Sequence, residues 1–298
     1  MSAPASAAAG SPSFDRSAAE RDQPDLVERL RADGSTRVLA VHRDAVPFDD
    51  RGRVRLVAPG EVPDVREWAF LGRAGDGAGV LAAAVDGRPE ALSARWGALR
   101  VVGGDVHPED ADMFVAGVSL LRWLAEAPFC PTCGARTEIR QGGWSRRCPR
   151  CGREHFPRTD PAVIVAITSG TEPDRLLLGS NAAWGEGRYS CFAGFAEAGE
   201  SLEAAVRREM LEEAGVAVDG IRYRGSQAWP YPRSLMIGFR AVAADERSAR
   251  PDGQEIADVR WFARAEVAEA LRGRGAVQLP GASSIAHRLI VDWLAEHP

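Results

Sequence analysis

The reading turns on one stretch: Gly194-Phe195-Ala196-Glu197-Ala198-Gly199-Glu200-Ser201-Leu202-Glu203-Ala204-Ala205-Val206-Arg207-Arg208-Glu209-Met210-Leu211-Glu212-Glu213-Ala214-Gly215-Val216. Leu202, Val206 and Met210 step by four, so residues 201–214 are expected to form a helix with one apolar face. Glu209, Glu212 and Glu213 fall at i, i+3 and i+4 and share one side of it. Glu200 precedes the helix and can fold back toward that side. Carboxylates crowded in this way repel one another, and helix stability alone does not explain them. A hard dication, Mg²⁺ or Mn²⁺, would relieve the repulsion through oxygen ligands. Arg208 stands four residues before Glu212, close enough to orient a carboxylate. Gly194 and Gly199 permit a tight loop into the helix, and Gly215 ends it. A solvated acidic helix would account for scattered Glu and Arg, but not for glycines at these bounding positions.

Working outward, residues 162–168 form an apolar, β-branched run expected as a buried strand, with residues 175–178 as its partner. Residues 221–229, 235–242 and 259–262 read as further strands, and residues 284–296 as a closing helix. Strands and helices mixed in this order indicate an α/β sandwich. Upstream, residues 38–41 and 80–85 read as strands. Residues 111–125 read as a helix, with Phe114, Val118, Leu121 and Leu124 at helical spacing. That N-terminal α/β region, residues 26–126, names no chemistry. Residues 1–25 are small, polar and Pro-containing, and are expected to be a disordered tail. Residues 127–157 and 158–298 complete the expected division.

Cys130-Pro131-Thr132-Cys133 and Cys148-Pro149-Arg150-Cys151 are two CxxC knuckles separated by fourteen residues. Tetrahedral zinc takes four thiolates, and short knuckles supply them with little backbone strain. Gly134 and Gly152 suit the turns. The alternative is two disulfides or free core thiols. A full thiolate set leaves no open coordination position, so one structural zinc per chain is expected. Arg140, Arg146, Arg147 and Arg150 lie nearby and are read as solvating a small domain in preference to binding nucleic acid. Cys191 stands outside the set and is read as a buried apolar residue, not a nucleophile.

The chain has 298 residues, 45% of them hydrophobic and 27% charged, which is ordinary for a globular protein of more than one domain. A net charge of −5 argues against a general basic field for nucleic acid. All 37 basic residues are arginine, which removes lysine chemistry. No apolar run approaches bilayer length, and residues 1–16 lack the charged start and apolar stretch of a secretory signal. Paired cysteines in CxxC units fit a reducing compartment, so the expected location is the cytoplasm, with no membrane partner.

Gly194, Glu200, Arg208, Glu209, Met210, Glu212, Glu213, Gly215 and Val216 match every defined position of the Nudix box, and the chain is identified as a member of the Nudix hydrolases. The resemblance implies an α/β/α sandwich for the C-terminal domain and water attack on the phosphorus of a nucleoside diphosphate derivative. It implies that Glu209 and Glu213 hold the catalytic metals, with Glu212 as a further ligand or water activator and the carbonyl of Ala193 completing the shell. Glu213 is expected to be the most sensitive of these residues. Metals bridging a pyrophosphate would neutralise charge and lower the pKa of the attacking water.

Eleven residues beyond Gly215, Ser226-Gln227-Ala228-Trp229-Pro230-Tyr231-Pro232-Arg233-Ser234 resembles the SQPWPFPxS signature of NADH pyrophosphatases. Ala228 departs from it, and Tyr231 replaces Phe. That family also places a four-cysteine zinc ribbon before its catalytic domain, followed by an aromatic-Pro-Arg segment, here Phe156-Pro157-Arg158. The resemblance covers roughly residues 95–296. It implies a metal-binding carboxylate at Glu255 and substrate contacts at Phe156, Phe195, Gln227 through Ser234, Ala286 and Arg100. It implies a homodimer whose sites borrow residues from both chains. The implied activity is hydrolysis of NADH or NAD⁺ to NMN(H) and AMP, and removal of NAD caps from RNA 5′ ends. Physically, Trp229 and Tyr231 supply aromatic plates on a proline-stiffened loop that can bracket a heterocycle at low entropic cost; core packing is their other reading. The competing functions are a Nudix hydrolase for ADP-ribose or another nucleotide sugar, which has no need of residues 226–234, and a zinc-ribbon nucleic-acid-binding regulator, which has no need of an intact box.

Overall fold

The computed structural model describes residues 14–102 and 106–296. The chain divides into two compact units, Met1–Arg158 and Thr159–Pro298. The segments read above as an N-terminal domain and a ribbon thus belong to one body. Its elements are α1 (Leu26–Ala32), β1 (Arg37–Val41), β2 (Ala45–Phe48), β3 (Val65–Arg73), β4 (Gly79–Val85), β5 (Arg95–Ala98), α2 (Leu99–Val102), α3 (Pro108–Glu126), β6 (Glu138–Arg140), β7 (Ser145–Arg147) and β8 (Glu154–His155). β4 lies between β1, to which it is parallel, and β3, to which it is antiparallel. Pro108 opens α3, where its missing N–H costs nothing. Phe114, Val118, Leu121 and Leu124 are buried as their spacing requires.

Of the expected disordered tail, residues 1–13 lie outside the described residues, and the chain from Phe14 onward is held in place. Phe14 is buried, and Asp15 exchanges backbone hydrogen bonds with Arg73 at 2.9 and 2.7 Å. The Arg21 guanidinium lies 3.9 Å over the Trp144 ring, and Gln141 donates to Asp22. One phenylalanine and one arginine–tryptophan stack are enough to order a segment whose average composition is polar. The ribbon arginines need a second correction. Arg140, Arg147 and Arg150 are exposed, but Arg146 is buried. Its Nη2 donates to the Leu124 carbonyl at 2.6 Å and its Nη1 to that of Thr137 at 3.3 Å. Arg146 fastens the ribbon to the end of α3, a role that local charge counting does not distinguish from solvation.

The second unit contains β9 (Asp160–Ser169), β10 (Arg175–Asn181), β11 (Phe192–Phe195), α4 (Leu202–Ala214), β12 (Val218–Trp229), β13 (Ser234–Ala243), β14 (Ile256–Ala263), α5 (Arg264–Leu271) and α6 (Ile285–Ala295). Its sheet runs β12-β13-β9-β10-β14, with β11 on the flank of β9. β13 is parallel to β9 and the other pairs are antiparallel. Val163, Val165 and Ile167 pack with Val206, Met210 and Ala214 of α4. Ile164 and Ala166 pack with Leu289, Ile290 and Trp293 of α6 on the opposite face. Burial on both faces explains why β9 reads as one continuous apolar run. The result is an α/β/α sandwich, as expected. β12 begins earlier than the apolar pattern indicated, because a register irregularity between Asp219 and Arg222 lets the strand continue through Gly220.

Candidate active site

α4 starts at Ser201, whose hydroxyl accepts the Ala204 N–H at 3.2 Å, and ends at Gly215 in the left-handed region with φ 69°. These caps fix where the glutamates point. Glu209 and Glu213, one turn apart, are buried at 9% and 6% exposure, while Glu212 is exposed. At about 100° per residue, Glu209 and Glu213 lie about 40° apart around the helix, and Glu212 lies on the solvent side of both. Arg208 ties the box together. Its guanidinium donates to Glu200 at 2.9 and 3.0 Å, to Glu209 at 2.8 Å, to Glu212 at 3.1 Å and to the Phe195 carbonyl at 2.9 Å. Arg208, with the Glu197 N–H, holds the Glu200 carboxyl down at about 2.

Glu213 is driven the other way. Burial, followed by the charges of Glu255 and Glu209, raises its pKa to about 8, against the opposing pull of the Ala193 N–H. Burial also raises Glu209. Oε2 of Glu213 is buried and meets no donor. A carboxylate oxygen left in that state, with two further carboxylates facing it, suits a hard dication. The main chain at Gly194 leaves room for this arrangement, since a Cβ there would fall on the Glu209 carboxylate.

Glu209, Glu213 and Glu255 open into a cavity of about 430 Å³. Ala193, Phe195, Arg208 and Ser234 also line it, so seven of the sequence-predicted residues meet there. Glu212 is not among them and keeps its tie to Arg208. Ala162, Glu197 and Met236 are lining residues that sequence reasoning missed. Only register could have supplied two of them: Ala162 stands opposite Phe195 on one side and Met236 on the other.

In the ribbon, the four sulfurs lie within 4.8 Å of one another. Cys130 and Cys151 are 3.7 Å apart, and Cys133 and Cys148 are 3.5 Å apart. Sulfurs at the corners of a zinc tetrahedron stand about 3.8 Å apart, so the residues fit the ion. Burial works against ionisation of Cys130, but the N–H groups of Thr132 and Cys133, together with the Cys151 and His155 side chains, outweigh it and lower its pKa to about 5.

Residues 158–280 match the NUDIX domain, and residues 125–156 match the NADH pyrophosphatase zinc ribbon domain. The chain is 40% identical over 279 residues to the NAD-capped RNA hydrolase NudC of Mycobacterium tuberculosis, covering 89% of this chain and 85% of that one. It belongs to the NAD-capped RNA hydrolase family of Nudix hydrolases. A human relative, the NAD-capped RNA hydrolase NUDT12 of Homo sapiens, is 40% identical over 202 residues, which are 64% of this chain and 43% of that one. Among solved structures, a NUDIX hydrolase from Nitrosomonas europaea is 29% identical and covers 51% of this chain and 96% of its own, with a TM-score of 0.38.

The family signature at residues 226–234 forms the end of β12, a turn, and the first residue of β13. Trp229 pairs with Ser234 and Gln227 with Met236, so the hairpin stands on the strand that lines the cavity. Of these nine residues, Ser234 alone is a lining residue. The amide of Gln227 donates to the Ser283 carbonyl and accepts the Ile285 N–H, both at 2.7 Å. Through these two bonds it anchors the start of α6, with one N–H and one lone pair of the amide left over. The Trp229 and Tyr231 rings pack edge to face at 5.3 Å. Ala228 and Pro232 are exposed, Pro230 is buried, and Tyr231–Pro232 is cis. Arg233 pairs with Asp160 at 2.9 Å. Ala286 is buried in the core beneath α6. Phe156 and Arg100, both exposed, belong to the N-terminal unit.

Proposed function

We propose that this chain hydrolyses the pyrophosphate of NADH and NAD⁺, giving NMN(H) and AMP, and removes NAD caps from RNA 5′ ends. The observation that carries the reading is the trio Glu209, Glu213 and Glu255 around one cavity, with a buried Glu213 oxygen that lacks a donor. Glu209, Glu213 and Glu255, with the Ala193 carbonyl, would hold Mg²⁺ or Mn²⁺, which supplies charge neutralisation and an acidified water. Arg208 positions Glu209 and, through the Phe195 carbonyl, the end of β11. Phe195, 52% exposed at the cavity wall, offers a ring face for a base or nicotinamide. Trp229 and Tyr231 present the second aromatic pair from the hairpin. Glu212 is the box carboxylate left for solvent-side proton transfer. Phe156, Arg100 and Ala286 are kept as substrate contacts of the family kind. The four-thiolate ribbon holds one structural zinc.

The assembly we propose is a homodimer. Among the described residues no helix is long and apolar enough to cross a membrane. Four of the five cysteines gather as a zinc-fitting thiolate set, which supports a reducing, cytoplasmic location. The test is to incubate the purified protein separately with NADH, ADP-ribose and NAD-capped RNA, and to identify products by mass. The expected products are NMNH with AMP from NADH, and NMN with 5′-monophosphorylated RNA from the capped RNA. Faster turnover of ADP-ribose than of NADH would replace this reading with a nucleotide-sugar hydrolase. Sedimentation of the intact protein tests the dimer.

A further inference from the structure

The catalytic unit carries an arginine cluster that takes no part in the chemistry described above. Arg222 and Arg240 stand opposite each other in the ladder of β12 and β13, so their side chains project to the same face. Arg224 and Arg240 both donate to the carboxylate of Glu296, just past the end of α6. Arg288, on the first turn of α6, lays its Nη2 over Gly225 so closely that a Cβ there would meet it. The cluster therefore sets four guanidinium groups against two carboxylates, those of Glu296 and the nearby Asp292.

Four nitrogens in this cluster are buried and lack an acceptor: Nε of Arg224, Nε of Arg240, and Nε and Nη2 of Arg288. A buried donor without an acceptor is destabilising, and several gathered in one place leave the cluster with an excess of positive charge, of which Arg224 keeps 30% of its side chain exposed. Burial, with Arg224 beside it, disfavours the Arg240 cation, a cost that a bound anion would offset. Guanidinium forks match the oxygens of a phosphate group better than any other common anion except a carboxylate.

Position selects the source of that phosphate. Met236 lines the catalytic cavity, and Arg240 lies four residues further along the same strand on the same face, about 13 Å away. A free dinucleotide has only its pyrophosphate, which the cavity takes. A further phosphate site at this distance serves a substrate that continues as a polynucleotide. The geometry points to Arg224, Arg240 and Arg288 as the site that binds the phosphodiester backbone of the RNA following an NAD cap. This rests on the proposed function and extends it: the cluster sets preference for capped RNA over the free dinucleotide. Since the chain has a net charge of −5, such a local cluster substitutes for a general basic field.

The test compares wild type, Arg288→Gln, Arg288→Lys and Arg222→Gln on NADH and on a short NAD-capped RNA, at about 50 and about 200 mM salt. Arg288→Gln is expected to raise KM for capped RNA about tenfold, with kcat and both NADH constants within about twofold of wild type. The salt dependence of log KM for the RNA should flatten by about 0.7 for each arginine–phosphate pairing removed. Arg288→Lys keeps the charge and should recover much of the loss, and Arg222→Gln should show a smaller change in the same direction. Unchanged NADH turnover reports that each variant is folded. Equal losses on NADH and RNA would assign the cluster a purely structural role and overturn the proposal, as would no change on RNA. Turnover of NADH without turnover of capped RNA by the wild type would also overturn it while leaving NADH hydrolysis standing. Turnover of neither would remove the proposed function itself.

Discussion

Replacing one carboxylate by its neutral isostere, Glu213→Gln, probes the electrostatics of the cavity directly. In the metal-free protein, burial and the charges of Glu255 and Glu209 raise Glu213 from its ordinary 4.5 to about 8. A folded-state pKa above the unfolded one means that the contribution to stability is complete below pH 4.5 and is lost as the pH rises through 8. At 1.36 kcal/mol per pH decade, the whole interval amounts to about 5 kcal/mol, of which about 3 kcal/mol is gone by pH 7. Glu213→Gln should therefore gain on the metal-free wild type by about 3 kcal/mol in unfolding free energy between pH 5 and pH 8. The same proton must leave when a dication binds. At pH 7 about nine molecules in ten carry it, so uptake of Mn²⁺ should release about one proton per site, falling toward none above pH 9. Titration calorimetry in two buffers of different ionisation enthalpy measures that release. Burial raises Glu209 as well, so the variant should keep a remnant, smaller than the wild-type release. Proton release that is identical in variant and wild type, or flat with pH, would refute the assignment of Glu213 as the buried, proton-bearing metal ligand.

Other outcomes follow from single contacts. Cys148→Ser should lower zinc from about one to well under half an equivalent per chain by metal analysis, and destabilise the N-terminal unit. Gly194→Ala sets a methyl group on the Glu209 carboxylate and should cut turnover of NADH by about 10²-fold or more with secondary structure retained by circular dichroism. Arg146→Ala removes the donors to Leu124 and Thr137 and should cost the N-terminal unit about 2–4 kcal/mol in chemical denaturation. Trp229→Ala should raise KM for NADH far more than KM for ADP-ribose; equal effects in side-by-side kinetics would detach the hairpin from substrate choice.

The parts of this molecule that sequence made legible are those set by local chemistry. The α4 caps, its apolar stripe and its carboxylate face all follow from spacing within one helix, and the two knuckles follow from spacing within one ribbon. β9 was legible as a buried strand because both of its faces are apolar. What stayed hidden depends on partners remote in the chain. Spacing placed Glu212 beside Arg208, but did not show that burial would fall on Glu209 and Glu213 and leave Glu212 exposed. Nothing in the motif around Gln227 showed that its amide would also bind Ser283 and Ile285 at the start of α6. Ala162 and Met236 have no chemical mark at all and reach the cavity through strand register alone. The ordered stretch from Phe14 to Asp25 depends on Arg73 and Trp144, which no local composition window contains.

The attachment of α6 has one more consequence. β12 grips this helix near both ends, through Gln227 at its start and through Arg224 to Glu296 just beyond its finish. Helix ends ordinarily fray, so that their last amides exchange with solvent through small local openings of little free-energy cost. A helix clamped at both ends and anchored by the buried Trp293 has no such independent opening. Its amides should exchange in concert with those of the central sheet, so that α6 carries the protection pattern of the core.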